Sequence, residues 1–234
     1  MSDRDEQTLR AAVVATAREM NALGINRGKS GNVSARWRSA QFDGYLITPT
    51  GMPYADTAPD DIVAMPLESD ASRTRDKPGG ASAEAVGARR LPSSEWRFHR
   101  DIYRARADAA AIVHTHAPFA TALACLHRSI PAFHYMVAIA GGNDIRCAPY
   151  ATFGTQQLSD HAVAALEGRK ACLLANHGMI AVGGSLAAAL ALAAEVETLA
   201  EMYWRALQIG EPVLLDDAEM AVVLEKFRGY GQRG

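Results

Sequence analysis

Two histidines one residue apart, His114-Thr115-His116, close the apolar run Ala109 to His116, which reads as a buried strand. Residues two apart on a strand point to the same face, so both imidazoles can meet one metal ion. His177 follows a second apolar run, Lys170 to Asn176, just before Gly178, and can supply a third nitrogen. Three protein nitrogens with one open position describe catalytic zinc. By spacing alone, the pair also reads as ordinary polar residues at a strand end, and His177 as a structural histidine. Glu95 weighs against that plainer reading. It stands in a Pro-Ser-Ser-Glu turn at the head of the helix that precedes the His-x-His strand. A carboxylate beside a metal-bound carbonyl compound is what proton abstraction still needs, and that work favours a pKa raised towards neutrality.

Anion recognition has three candidate turns, Gly31-Asn32, Thr50-Gly51 and Ser93-Ser94. Each can offer backbone N–H groups and a hydroxyl or amide donor to a phosphate, and Lys29 can add a charge. Each, taken singly, is also an ordinary turn.

The elements that must carry these residues follow from periodicity. Leu9, Val13, Ala17, Met20 and Leu23 fall at helical spacing over residues 5–23, and Gly24 supplies the stop. The stretch GKSGNVSARW and the run YLITPTG read as two strands ended by turn residues. Glu95 to Arg106 is predicted helical, with Trp96, Phe98, His99, Ile102 and Tyr103 grouped on its faces, and a further helix follows Pro118. Met179 to Val182 returns as hairpin partner of the 170–176 strand. Ser185 to Gln208 reads as a long amphipathic helix and Glu219 to Phe227 as a short one. Strands and helices interleave without doubly wound alternation, so the expected fold is a single α/β sandwich over 1–234, with a central mixed, largely antiparallel sheet flanked by helices. Between 68 and 90 the sequence turns small, polar and charged, and reads as a surface loop extension.

Bulk properties exclude several function classes. The 24 basic and 26 acidic residues are mixed along the chain and leave a net charge of −2, unlike the one-signed field of a nucleic-acid or membrane-surface protein. Small-molecule partners are expected. MSDRDEQTLR has no secretory apolar segment, and no run approaches a membrane span. Cys125, Cys147 and Cys172 lie far apart without a C-x-x-C pair, which argues against a disulfide framework. A cytoplasmic location is expected.

The segments RGKSGNVSAR, YLITPTGMPY, LPSSEWRFHRDIY, AIVHTHA, RSIPAFHYM, GGNDIRCAPYATFGT, NHGMIA and VVLEKFRGYG together resemble the class II aldolase and adducin superfamily, and within it the fuculose-phosphate aldolases. The resemblance covers nearly the whole chain. It implies one Zn2+ per subunit held by His114, His116 and His177, with Glu95 as catalytic acid/base that also touches the metal in the empty site. It implies that Asn32, Thr50, Gly51, Ser93 and Ser94 hold a substrate phosphate, a role the turn at Gly31 shares, and that Tyr135 protonates an aldehyde oxygen. Phe153 and Tyr230 match aromatic positions near the site, the latter on a C-terminal tail that closes over a neighbouring subunit of a homotetramer. The implied reaction is cleavage of a ketose 1-phosphate into dihydroxyacetone phosphate and a short aldehyde. Three departures are visible: a longer 68–90 loop, Lys29 in a turn where small residues are common, and Asn176 before His177. The rivals are a pentulose-5-phosphate 4-epimerase, a methylthioribulose-phosphate dehydratase and an adducin-like binding module. His134-Tyr135-Met136 departs from the His-Ala-Asp-Tyr-Phe segment of the epimerases, and the complete set Glu95, His114, His116, His177 and Tyr135 argues against a module without catalysis.

Overall fold

One sheet of seven strands organises the described residues, in the order β3-β2-β1-β4-β7-β6-β5. These are β1 (Asn32–Arg38), β2 (Asp43–Ile47), β3 (Val63–Pro66), β4 (Ala111–Thr115), β5 (Cys147–Ala148), β6 (Ala171–Leu174) and β7 (Gly178–Gly183). Only the β5–β6 pair is parallel, and every other neighbour is antiparallel. The computed structural model describes residues 3–68 and 89–228. The 68–90 extension therefore lies outside the described residues except at its ends, where Arg90 pairs with Asp61 at 2.8 Å. Tyr230 is outside them as well.

Alternation along the strands builds two cores. Val33, Ala35, Leu46, Ala64, Ala111, Val113, Leu173, Met179 and Ala181 face one side, where α1 (Asp3–Ala22), α3 (Pro118–Cys125), α5 (Leu186–Ile209) and α6 (Asp217–Arg228) lie. Tyr45, Ile47, Val63, Met65, Ile112, Cys172, Leu174, Ile180 and Val182 face the other, covered by α2 (Trp96–Ala105) and α4 (Gln156–Ala165). A period of two sends neighbours to opposite faces, so His114 shares the α2 side with Ile112. The ring of Phe98 stands edge-on to it at 5.4 Å.

The expected mixed sheet flanked by helices is thus what the chain forms. Three elements escape the periodicity reading, namely β3, β5 and α4. β3 is four residues ending in proline, and β5 is two residues, both too short to show alternation. The strand expected over 109–116 is β4 alone, with His116 just past its end.

Helix α3 begins two residues after His116, and its start is fixed from a distance. Backbone N–H groups of Phe119 and Ala120 both donate to the Glu197 carboxylate on α5, at 2.8 Å each. Such a carboxylate satisfies the orphan donors of a first turn and complements its dipole. Burial pushes the Glu197 carboxyl up, and these two donors pull it part of the way back.

Candidate active site

Glu95 caps α2, and the three histidines arrive from the sheet. His114 is on β4 in register with Asn32 of β1 and Ile180 of β7. His116 lies just beyond β4, and His177 occupies the β6–β7 turn. That turn depends on Asn176, which takes the left-handed conformation at φ 53°, a region asparagine tolerates better than other side chains do. Asn176 Oδ1 lies 2.6 Å from His127 Nε2. Gly178 follows because nothing larger fits: a Cβ there would stand 2.6 Å from the Thr115 carbonyl oxygen and 3.0 Å from the His116 ring.

The result is a tight cluster. The three imidazole centroids are 4.9 to 5.0 Å apart, and one ligand atom from each of Glu95, His114, His116 and His177 lies within 4.8 Å of the others. His114 Nδ1 lies 2.9 Å from the Met179 carbonyl. A carbonyl can only accept, so Nδ1 carries the proton and the Nε2 lone pair of the neutral ring faces inwards. There it meets His116 Nε2 and Glu95 Oε2, each at 3.1 Å. Glu95 Oε1 lies 3.1 Å from His177 Nε2, yet it is buried and the contact does not have the direction of a hydrogen bond. Converging lone pairs and a carboxylate without enough donors between them are the environment of a bound cation. Three imidazole nitrogens and a carboxylate oxygen fit a divalent metal with a taste for N and O ligands. The carbonyl partner of His114 is the outer contact that orients such ligands.

The electrostatics agree in one respect and correct the sequence reading in another. Burial, reinforced by the neighbouring His114 and His177, lowers the His116 pKa to about 4 and keeps that ring neutral. Burial also raises the Glu95 carboxyl, but the close approach of His114 and then His177 outweighs it and holds the group well below the usual carboxylate range. That direction is opposite to the rise towards neutrality expected from the sequence, and it holds where the neighbouring imidazoles carry charge.

The three anion turns come together. Thr50 N–H donates to the Leu91 carbonyl at 3.0 Å, Ser93 N–H to the Thr48 carbonyl at 3.0 Å, and Pro49 bridges Pro92 between them. Lys29 Nζ donates to the Gly51 carbonyl at 3.0 Å, tying the first turn to the second. Gly31 must be glycine, since a Cβ would meet the His114 carbonyl oxygen at 2.6 Å. Thr50, Gly51 and Ser94 are exposed, whereas Ser93 is buried and its hydroxyl accepts from the Glu95 N–H at 3.3 Å. The Asn32 amide is committed elsewhere: its Nδ2 donates to Glu95 Oε2 at 3.0 Å.

Tyr135 and Phe153 stand apart. Tyr135 opens a 3-10 turn, Tyr135–Ala140, and Phe153 lies in a loop held by Arg97, which donates to the Gly154 carbonyl at 2.6 Å. They are 50% and 65% exposed, and among the described residues neither makes a hydrogen bond or ring contact with the metal cluster. The sequence reading missed His99, fully buried on α2 between Asn32 and Ser34. Its signal was the spacing of Glu95, His99 and Tyr103, which puts all three on one face of a helix.

Burial lowers the His99 pKa to about 3, with His114 reinforcing the shift. In the unfolded chain an imidazole titrates near about 6.5, so below that pH the unfolded state binds a proton that the native state refuses. Stability of the metal-free protein should fall as the pH drops from about 6.5 towards 4.5, by up to about 1.4 kcal/mol per pH unit for this one group. The part-exposed His116 adds a smaller slope of the same sign. Below about 4.5 the depressed Glu95 carboxyl adds its own loss of stability, because the unfolded state then takes up that proton first. Urea midpoints at pH 7.5 and 5.5 check this, and equal midpoints would mean that the buried His99 is not held neutral.

A mixed α/β sheet whose strand ends and helix cap converge three imidazoles and a carboxylate, beside a cluster of candidate anion-binding turns, defines an α/β enzyme built on a candidate metal centre. The Class II Aldolase and Adducin N-terminal domain model matches residues 11–204, and the chain belongs to that family. It is 57% identical over 223 residues to a 5-methylthioribulose-1-phosphate/5-deoxyribulose-1-phosphate aldolase of Rhodospirillum rubrum, covering 95% of this chain and 92% of the relative. It is 49% identical over 230 residues to the L-fuculose phosphate aldolase of Escherichia coli, with 98% of each chain covered. A solved L-fuculose 1-phosphate aldolase superposes with a TM-score of 0.84 at 38% identity, over 97% of this chain and 98% of that one. The protein is an aldolase of class II.

Proposed function

We propose that the chain cleaves a ketose 1-phosphate between C3 and C4, yielding dihydroxyacetone phosphate and a short aldehyde such as lactaldehyde, with one zinc ion per subunit. The observation that carries this reading is the position of Glu95, one residue beyond the Ser93-Ser94 turn and with its carboxylate among three imidazole nitrogens. His114, His116, His177 and Glu95 would hold the zinc, which when bound would supply a Lewis acid for the ketose carbonyl. The phosphate is received by Thr50, Gly51, Ser93, Ser94 and the backbone at Gly31 and Asn32, with the Lys29 charge alongside. Glu95 delivers a proton to the carbon next to the carbonyl in cleavage and removes it in synthesis. Tyr135 takes up the proton of the C4 hydroxyl as the aldehyde forms in cleavage and returns it to the aldehyde oxygen in synthesis. The exposure of Tyr135 and Phe153 suits residues that act across a subunit interface of a homotetramer in the cytoplasm.

The names of the relatives support three substrates, fuculose, 5-deoxyribulose and 5-methylthioribulose 1-phosphates. A methyl or thioether changes discrimination in an apolar pocket by only about 1–3 kcal/mol, so the three are compared side by side. Zinc-loaded protein is given each in turn, and release of dihydroxyacetone phosphate is followed by a coupled assay. Release from one or more is expected, with the rate order naming the substrate. Silence with all three, in protein shown to hold zinc, overturns the reading in favour of an epimerase or a dehydratase.

A further inference from the structure

The α2 side of β1 carries Asn32, Ser34 and Arg36, polar residues where an apolar strand face would be expected. Asn32 and Ser34 are buried. Facing them on α2 are Glu95, His99 and Tyr103, four residues apart. Four helical residues advance about 6.0 Å and two strand residues about 6.7 Å, so the two rows meet rung by rung. Asn32 Nδ2 lies 3.0 Å from Glu95 Oε2, and Asn32 Oδ1 lies against His99 Nε2. His99 Nδ1 is 2.7 Å from Ser34 Oγ, which is 2.8 Å from the Tyr103 hydroxyl. The Arg36 guanidinium stacks on the Tyr103 ring at 4.9 Å.

The direction of every bond in this chain follows from one end. An ionised carboxylate only accepts, so the Asn32 NH2 must face Glu95 and its oxygen must face His99. That oxygen needs a donor, which makes His99 the Nε2–H tautomer. His99 Nδ1 then accepts from the Ser34 hydroxyl, and Ser34 Oγ accepts from the Tyr103 hydroxyl. Each side chain from Asn32 to Tyr103 then meets a partner of the matching kind. Read the other way, an imidazole with its proton on Nδ1 would present a lone pair to the Asn32 oxygen. The amide would turn over, putting its oxygen against the carboxylate.

We propose that His99 is a positioning residue for the acid/base, acting through Asn32: it fixes the orientation of the Asn32 amide and thereby holds Oε2 of Glu95, leaving Oε1 as the carboxylate oxygen without a hydrogen bond. The kinetic part of this inference rests on the aldolase reading, and the structural part does not. For the structural part, nitrogen NMR of the metal-free full-length protein should show His99 protonated at Nε2 at pH 7. An Nδ1–H tautomer overturns the proposal whether or not the protein is an aldolase.

For the kinetic part, His99→Gln keeps an N–H donor near the Nε2 position and His99→Phe removes it. His99→Phe should exchange the carbon-bound proton of dihydroxyacetone phosphate roughly 10- to 100-fold more slowly, the scale of a slightly misplaced catalytic group, with zinc content and KM within about twofold. His99→Gln should recover to within about threefold of the native rate. Equal rates in the two variants, whether both normal or both impaired, overturn the proposal. An inactive native enzyme instead removes the aldolase reading and leaves the tautomer result standing.

Discussion

Replacing Glu95 by glutamine should suppress proton exchange at the carbon next to the carbonyl of dihydroxyacetone phosphate by about 10^2- to 10^4-fold, the usual worth of a general acid–base group. The metal should stay. The amide oxygen can take the place of Oε2 and accept from Asn32, as the carboxylate does at 3.0 Å. The amide NH2 then faces His177 Nε2, which the carboxylate approaches to 3.1 Å without a hydrogen bond. Shape and burial are conserved, so the folded state has no cavity to collapse into. Exchange of deuterium from solvent, with metal content measured on the same sample, separates the two effects. Normal exchange in metal-loaded Glu95→Gln protein sinks the role assigned to this residue.

His116→Ala should have the second large effect, on the metal rather than the proton. Of the three histidines it is the one that packs just past the end of β4, and it is only part-buried, so its removal leaves the sheet intact. His114, by contrast, is fully buried and bonded to the Met179 carbonyl, and its loss would confound folding with binding. Removing a ligand should weaken affinity by more than the roughly 10- to 100-fold that loss of an outer partner costs. Because metal stabilises only the folded state, a chelator should lower the Tm of the native protein and leave that of His116→Ala almost unmoved. A variant that keeps full metal content after dialysis and still responds to chelator takes His116 off the ligand set.

The site was legible in the sequence where chemistry and local spacing coincide. His114 and His116 needed only the two-residue period of a strand, and Glu95 only its place at a helix head. His177 needed the turn at Asn176, which spacing does not reveal. What stayed hidden was long-range. That the 48–51 and 91–94 segments zip together through Thr50, Leu91, Ser93 and Thr48 is a property of packing, because each turn alone is indistinguishable from a common one. Asn32 was legible as a polar group in a turn, but its engagement with Glu95 across 63 residues was not. His99 was hidden by its neighbours, since a histidine beside Phe98 and Ile102 on the apolar face of an amphipathic helix reads as core. The fold followed the same division. Long periodic elements such as α1 and α5 could be read, while the two-residue β5 exists only because β6 is there to pair with it.

The rows of polar side chains on α2 and β1 are two rulers with unequal graduations, about 6.0 Å against about 6.7 Å. Over three marks, which are two intervals, the mismatch reaches about 1.4 Å, and over more it would outgrow a hydrogen bond. Such a pair has one setting at which all three rungs lie within hydrogen-bond reach, and the neighbouring setting is a four-residue step of about 6.0 Å away. The acid at the end of the helical scale therefore has no continuum of nearby positions to drift through. It is in register, or the whole row is broken.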